Sequence, residues 1–230
     1  MKIKTASCRL GFYYNMRSRI VTVVLFILTL TTQLPAAIDC QSPLSSVNCQ
    51  IEETELGDLV SDALKDAMNV QIAFFPAGAL RELTIPKGKV EPKQVIECLQ
   101  YPNDRVAVLE LTGKEVVNAL ERSVSVFPRK NLGFLQVGGL SFTFTPNSPK
   151  GSRVSGVKIG GSAIDLKKKY TVATTEPLAK GGYGYFTIWG SVNIKEIGKI
   201  TTKEAVEKFL KKMQTVDYSK KDRIRVMKAQ

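Results

Sequence analysis

The sequence has 230 residues, of which 43% are hydrophobic and 23% are charged, a composition typical of a globular protein and not of a disordered chain. With 33 Lys and Arg against 21 Asp and Glu, the formal net charge is +12. The sequence contains no histidine, which excludes nucleophilic catalysis by a Ser/His or Cys/His pair.

Residues 1–37 predict a secretory signal peptide. A basic segment without acidic residues precedes an apolar segment over residues 20–30, and small residues follow up to Ala37. Because the apolar segment is too short to span a bilayer comfortably, we expect cleavage near Ala37 and a periplasmic or extracellular protein. The alternative is an uncleaved signal that holds the chain at the membrane. Residues 1–37 carry five of the 33 basic residues and none of the 21 acidic ones, which leaves a net charge of +7 without them.

The remaining positive charge lies in short runs at residues 167–169, 211–212 and 220–221. Such runs are typical of solvated faces. A groove for single-stranded nucleic acid would interleave aromatic and basic residues, and these runs contain no aromatics. No nucleic-acid polymer is therefore expected as a partner.

Residues 38–50 are polar and are predicted to form a linker to a domain over residues 51–230. Two cysteines of this linker, Cys40 and Cys49, are close enough in sequence to close a small loop, whereas Cys98 fits a buried free thiol. No pair of cysteines has the spacing of a metal site, and no metal or cofactor is expected.

Helices and strands are mixed along the predicted domain. The apolar spacing predicts helices over residues 56–67, 92–99, 113–124 and 202–213, with Thr54 and Thr112 as N-caps. Strands are predicted over residues 70–75, 105–111, 134–145 (as a pair or one bent strand), 153–159, 163–166, 170–175 and 224–226. Glu52 and Glu53 are interpreted as solvated charges at the first helix. Without strict βαβ alternation, these elements predict a single α+β domain with a mixed sheet and flanking helices.

Four local patterns, in this order, resemble the C-terminal domain of the 5'-nucleotidase family. Residues 56–63 (LGDLVSDA) resemble its opening helix LGNL-x-x-DA, and residues 75–81 (FPAGALR) lie where the family has NGGGIR. Residues 133–139 (GFLQVGG) match G-x-FLQV-S/G-G, and residues 178–185 (LAKGGYGY) resemble FLA-x-GGDG-F/Y. The resemblance covers residues 49–226 and implies the substrate-binding domain without the metal-bearing catalytic domain.

The resemblance implies a nucleotide site in which Phe134 and Tyr185 sandwich the base and Arg81 binds a phosphate. Stacking contributes about 1–3 kcal/mol per base, and a planar guanidinium can contact two phosphate oxygens. From the residues alone, both aromatics could be core side chains, and Arg81 could form a surface ion pair with Glu82 or Glu53. The glycines of the two later motifs complete the predicted ligand-binding set: Gly138, Gly139, Gly181 and Gly182.

Several positions depart from the family pattern. Pro76 replaces the Asn that opens NGGGIR, and Ala77 and Ala79 replace two of its glycines. Tyr183 replaces the Asp that contacts the ribose hydroxyls in the family. The aromatic positions are kept while most polar ones are changed, so binding is expected to be weaker and less selective.

Hydrolysis in this family requires a two-metal centre with His ligands on an N-terminal domain. The absence of His and the short segment before Gln50 predict no catalytic residue and no metal site in this chain. Three hypotheses follow. The chain is an exported nucleoside- or nucleotide-binding module linked to nucleotide catabolism, or the recognition half of a split hydrolase with a separate metallophosphatase chain, or a decayed domain that makes only protein contacts.

Overall fold

A computed structural model describes residues 37–227, which contain fourteen strands and five α-helices. The strands are β1 (Ile38–Cys40), β2 (Leu44–Ser45), β3 (Ile72–Pro76), β4 (Thr84–Ile85), β5 (Gly88–Val90), β6 (Arg105–Thr112), β7 (Leu135–Gly138), β8 (Leu140–Phe144), β9 (Val154–Ile159), β10 (Ser162–Ala163), β11 (Lys169–Thr175), β12 (Ile194–Thr201), β13 (Thr215–Val216) and β14 (Ile224–Val226). The helices are α1 (Glu55–Met68), α2 (Pro92–Ile96), α3 (Gly113–Ser123), α4 (Glu176–Ala179) and α5 (Thr202–Lys211). Apart from Ala37, the predicted signal peptide lies outside the described residues.

The core is organised around a five-stranded mixed sheet. Its strand order is β12-β6-β11-β3-β7, in which β3 and β11 are parallel and the other neighbours are antiparallel. All five residues of β3 are buried, as are residues 106–109 of β6. Strands buried on both faces have continuous apolar sequences instead of alternating ones. The predicted α+β fold with a mixed sheet is confirmed.

The longer helices begin at the predicted N-caps and cover this sheet. The Thr54 hydroxyl accepts a hydrogen bond from the Gly57 amide (3.2 Å), and Thr112 and Glu115 form the predicted capping box of α3. Helix α1 packs against β3, β7 and α5, and α3 packs against β6 and β9. Between residues 37 and 227, no helix combines the length and the apolar character that crossing a membrane requires.

Residues 38–50 belong to the folded domain and do not form the predicted linker. Strand β1 pairs with β5 and β13, and β2 pairs with β4. Ile38, Cys40, Leu44 and Cys49 are all buried. Strands of two or three residues show too few alternations for a sequence pattern, and their partners lie far along the chain, so the polar composition was misleading.

The cysteines Cys40, Cys49 and Cys98 are all free and buried. Burial raises the pKa of Cys49 to about 11 and that of Cys98 to about 12, so both remain thiols at neutral pH. The prediction of a buried free thiol at Cys98 is confirmed.

The segment predicted as a strand pair or one bent strand over residues 134–145 forms β7 and β8, which belong to different sheets. β8 lies in a four-stranded sheet of order β10-β9-β8-β14. The chain changes sheet at Gly139, which has a φ of +75°. A side chain there would also collide with the carbonyl oxygen of Gln71. Only glycine satisfies both the left-handed backbone and the close approach.

A buried carboxylate holds β14 on the domain. The Glu53 side chain is 3% exposed and accepts hydrogen bonds from the amides of Asp222, Arg223 and Ile224 at 3.0, 2.9 and 2.6 Å. The Arg223 guanidinium in turn donates to both oxygens of Asp62 (2.9 and 2.8 Å). The interpretation of Glu53 as a solvated charge was wrong, because the hydrogen bonds that bury it come from the other end of the chain.

We expect Gly139→Ala to lower the free energy of unfolding more than Gly161→Ala does. Gly161 also has a positive φ of +85°, but no atom lies within 4 Å of an added Cβ. Left-handed strain alone costs about 1–2 kcal/mol, and the collision with Gln71 should add about 1–3 kcal/mol. Urea unfolding of both variants measures the difference, and equal losses would contradict the role of the close approach.

We expect Asp58→Asn to reduce the loss of stability as pH rises. Burial, with the nearby carboxylates Glu53 and Asp62, raises the pKa of Asp58 to about 9, against the opposing effect of Arg223. Because this pKa exceeds the unfolded value of about 3.9, the stabilisation is complete below the unfolded value and is lost toward about pH 9. Urea unfolding at about pH 5, 7 and 9 should show a smaller decline for the variant. Asp66→Asn, on the exposed side of α1, is the control and should keep the wild-type decline.

Candidate functional site

Three loops meet at one edge of the central sheet, namely the loops after β3 and after β11, which carry family motifs, and the loop before β6. β3 and β11 are parallel neighbours, so their carboxyl ends lie side by side, the position at which open sheets bind ligands. After β3, the amides of Ala77 and Gly78 donate to the carbonyls of Phe134 and Leu132, each at 2.8 Å. The Gln100 amide donates to the Ala79 carbonyl (2.9 Å), which brings the loop before β6 to the same place.

The glycine-rich loop after β11 has an unusual backbone. Gly181, Tyr183 and Gly184 have φ angles of +89°, +56° and +83°. Positive φ is uncommon for a bulky side chain such as Tyr and marks a position that the surrounding structure imposes. The Arg122 guanidinium supports it, because its Nη2 donates to the Tyr183 carbonyl (2.8 Å).

The Tyr183 ring lies against the FPAGALR loop. A Cβ added to Gly78 would lie 2.6 Å from Cε1 and 2.9 Å from the hydroxyl oxygen of Tyr183. The absence of a side chain at Gly78 therefore lets the half-buried ring lie directly on the backbone. Gly78, the one glycine of the FPAGALR segment, therefore lies beneath the ring of Tyr183, the residue that stands where the family has Asp.

These loops enclose a groove of about 360 Å³, within the size range of small-molecule sites. Its lining is Ala79, Tyr101, Asp104, Thr175, Pro177, Gly182 and Tyr183. Two further depressions, of about 310 and 260 Å³, lie beside the end of α1 and on the second sheet. The groove differs from both because it joins two of the motif segments and exposes two phenol rings, with Tyr101 at 51% exposure.

Asp104 is the ionisable acid of the groove. Its backbone is fixed, since its carbonyl accepts hydrogen bonds from the Thr202 amide (2.8 Å) and hydroxyl (3.1 Å). Among residues 37–227, no hydrogen bond is formed to its carboxylate. Partial burial, and then the charge of Glu176, raise the pKa of Asp104. Glu176 itself is ion paired with Arg105 and Lys180, and these hydrogen bonds lower its pKa to about 2.

The structure places Phe134 and Tyr185 in the core. They are 1% and 0% exposed. The Tyr185 ring stacks on Trp189 at a centroid distance of 4.8 Å, and its hydroxyl donates to the Gly133 carbonyl (2.7 Å). An open slot for a base would leave ring faces accessible to water. Base stacking between this pair stays a prediction that requires both rings to leave the core.

Arg81 is exposed and makes neither of the ion pairs considered from the sequence. Its Nε donates to the Gln100 side chain (2.9 Å). Glu82 is paired with Lys130, and Glu53 binds the C-terminal strand. The guanidinium does not line the groove.

The predicted glycines separate into two groups. Gly182 lines the groove, and Gly181 precedes it with a left-handed backbone. Gly138 and Gly139 lie at the opposite end of β7, where Gly138 approaches α1 at Ser61. They serve packing between the sheet and α1 and are not part of the groove.

Gly182 is the one groove residue that the sequence predicted as a site residue, and the others were missed: Ala79, Tyr101, Asp104, Thr175, Pro177 and Tyr183. Residues 101–104 lie outside the four motif segments, so no local pattern marked them. Pro177 directly precedes the glycine-rich motif, and its place in the lining depends on the turn that follows β11.

The fold and the motif loops together define the type of domain found at the C-terminal end of 5'-nucleotidases. The family model described as the 5'-nucleotidase C-terminal domain matches residues 27–189, and the chain belongs to this family.

Comparisons with individual proteins support this family membership. The chain is 32% identical over 158 residues to the trifunctional nucleotide phosphoesterase protein YfkN of Bacillus subtilis, a match that covers 65% of this chain and 11% of that protein. It is 26% identical over 167 residues to protein UshA of Escherichia coli, covering 73% of this chain and 29% of UshA. A 5'-nucleotidase precursor from Thermus thermophilus superimposes with a TM-score of 0.76 at 27% identity, covering 93% of this chain and 43% of the solved one. The chain therefore spans less than half the length of each.

We expect Gly78→Ala to displace the Tyr183 ring with little loss of stability. The obstructing atoms belong to the far end of a side chain that can move, so the free energy of unfolding should fall by less than about 1 kcal/mol. Nitration of the phenol, followed by peptide mass spectrometry, should show faster reaction at Tyr183. The exposed Tyr101 provides the internal reference, and unchanged nitration of Tyr183 relative to Tyr101 would contradict the contact.

Proposed function

We propose that this domain binds a nucleoside or nucleotide in the groove at the carboxyl ends of β3 and β11. The observation that carries the proposal is the meeting of the FPAGALR and glycine-rich motif loops around this groove. Its volume and its mostly uncharged lining suit a flat heteroaromatic ring. Membership in the 5'-nucleotidase family makes a nucleotide-derived ligand the natural candidate.

Tyr183 and Tyr101 are the rings on which a base would stack. Both line the groove, and neither is buried in the core. The predicted pair Phe134 and Tyr185 would first have to be exposed, at a cost of about 1.5–3 kcal/mol for each ring, in addition to the lost hydrogen bond of the Tyr185 hydroxyl. Stacking is tolerant of base identity, since every base has a π-face.

The domain acts in recognition, and ester hydrolysis depends on a metallophosphatase domain of the same protein or of a separate chain. The relatives that carry phosphoesterase or nucleotidase names are more than twice as long as the segments they share with this chain. The predicted signal peptide supports export, with action on nucleotides in the periplasm or outside the cell.

Titration of the purified protein with adenosine, AMP and a UDP-sugar by calorimetry tests the proposal. Tyr183→Ala should weaken binding by about tenfold or more, because stacking contributes about 1–3 kcal/mol per base. Phe186→Ala is the matched control, since this ring lies in the same loop, is 73% exposed and does not line the groove.

An equal loss in the Tyr183 and Phe186 variants, or no binding to the wild type at millimolar ligand, would contradict the proposed site. Absence of binding would favour the third hypothesis, a domain that makes protein contacts only.

A further inference from the structure

The charge of the groove favours an uncharged ligand. None of the described residues that line it is Lys or Arg, and Asp104 contributes a carboxylate. The two nearest cations along the chain, Arg105 and Lys180, are held by Glu176 at 2.8 and 2.7 Å. Arg81, the predicted phosphate ligand, is bound to Gln100 outside the lining. A phosphate in the groove would meet the Asp104 carboxylate and no free guanidinium or ammonium group.

The Asp104 carboxylate is an acceptor without a hydrogen-bond partner among the described residues, and it is carried on a fixed backbone. The hydrogen bonds from Thr202 to its carbonyl and from its own amide to the Tyr101 carbonyl (3.2 Å) hold the backbone in place. The backbone that carries the carboxylate is thus ordered before a ligand arrives, which lowers the entropy cost of binding. A carboxylate has two oxygens that can accept hydrogen bonds from two adjacent hydroxyls, and such charge-assisted bonds are stronger than neutral ones.

The acceptor and the rings share one groove. Tyr101 lies three residues before Asp104, and Tyr183 lines the groove with both. Burial, then Tyr101 and then the Asp104 carboxylate raise the pKa of the Tyr183 phenol. A molecule that stacks a planar ring on a tyrosine while presenting two adjacent hydroxyls to Asp104 satisfies both features. Ribonucleosides have this combination, and 2'-deoxyribonucleosides lack one of the hydroxyls.

We propose that Asp104 accepts hydrogen bonds from the 2'- and 3'-hydroxyls of a ribonucleoside, and that the groove selects the uncharged ribonucleoside over its 5'-monophosphate. The inference rests on the proposed nucleoside site.

Calorimetric titration with adenosine, 2'-deoxyadenosine and AMP tests the inference in the wild type and in Asp104→Asn. The wild type should bind adenosine about tenfold more tightly than 2'-deoxyadenosine, the effect of about 1.4 kcal/mol from one charge-assisted hydrogen bond. It should bind AMP more weakly than adenosine. Asp104→Asn should lose most of both preferences, through weaker adenosine binding and improved AMP binding.

Two controls separate folding and site effects. Asp104→Asn should keep its melting temperature, since Thr202 contacts the backbone carbonyl and not the side chain. Asn103→Ala changes the exposed neighbour that does not line the groove and should keep the wild-type preferences.

The outcomes distinguish this inference from the proposed function. If adenosine and 2'-deoxyadenosine bind equally, or AMP binds more tightly, and Tyr183→Ala still weakens binding, the site stands and the role of Asp104 is overturned. If no nucleoside binds, or binding is insensitive to Tyr183, the proposed function itself fails. Loss of the ribose preference in Asp104→Asn alone supports the inference.

Discussion

The parallel pairing of β3 with β11 is the constraint on which the candidate site depends. Every other neighbouring pair in the central sheet is antiparallel, and antiparallel neighbours send their following loops to opposite edges. Because β3 and β11 run in the same direction, the FPAGALR loop and the glycine-rich loop leave the sheet side by side. The parallel pairing of these two strands therefore brings segments about 100 residues apart in sequence to the same groove.

The groove departs from the family pattern in two related ways. Tyr183 occupies the position of an acidic residue, and its ring needs the bare backbone of Gly78 beneath it. Asp104, from a loop that the motifs do not include, provides a carboxylate in the same groove. Tyr183 of the glycine-rich loop and the Asp104 carboxylate of the loop before β6 therefore belong to one site.

Different interactions hold the two ends of the domain in place. At the start, short strands β1 and β2 pair with β5, β13 and β4. At the end, β14 is held by Glu53, whose carboxylate accepts hydrogen bonds from three backbone amides at the start of this strand and just before it. Burying a charge is unfavourable unless hydrogen bonds compensate it, so removal of the C-terminal strand would leave Glu53 without its partners. The opening helix and the last strand form one structural unit.

The sequence by itself determined the four longer helices, more than half of the strands, the α+β class and the family, but it missed α4 and strand β12 of the central sheet. Helical spacing and the caps Thr54 and Thr112 are local features, and four motifs in order specify a family without any contact being known. Only the tertiary structure decided that Phe134 and Tyr185 are buried, that residues 38–50 are packed strands, and that Tyr101 and Asp104 reach the groove. The burial of a side chain depends on what distant segments place against it, and no local pattern records those contacts.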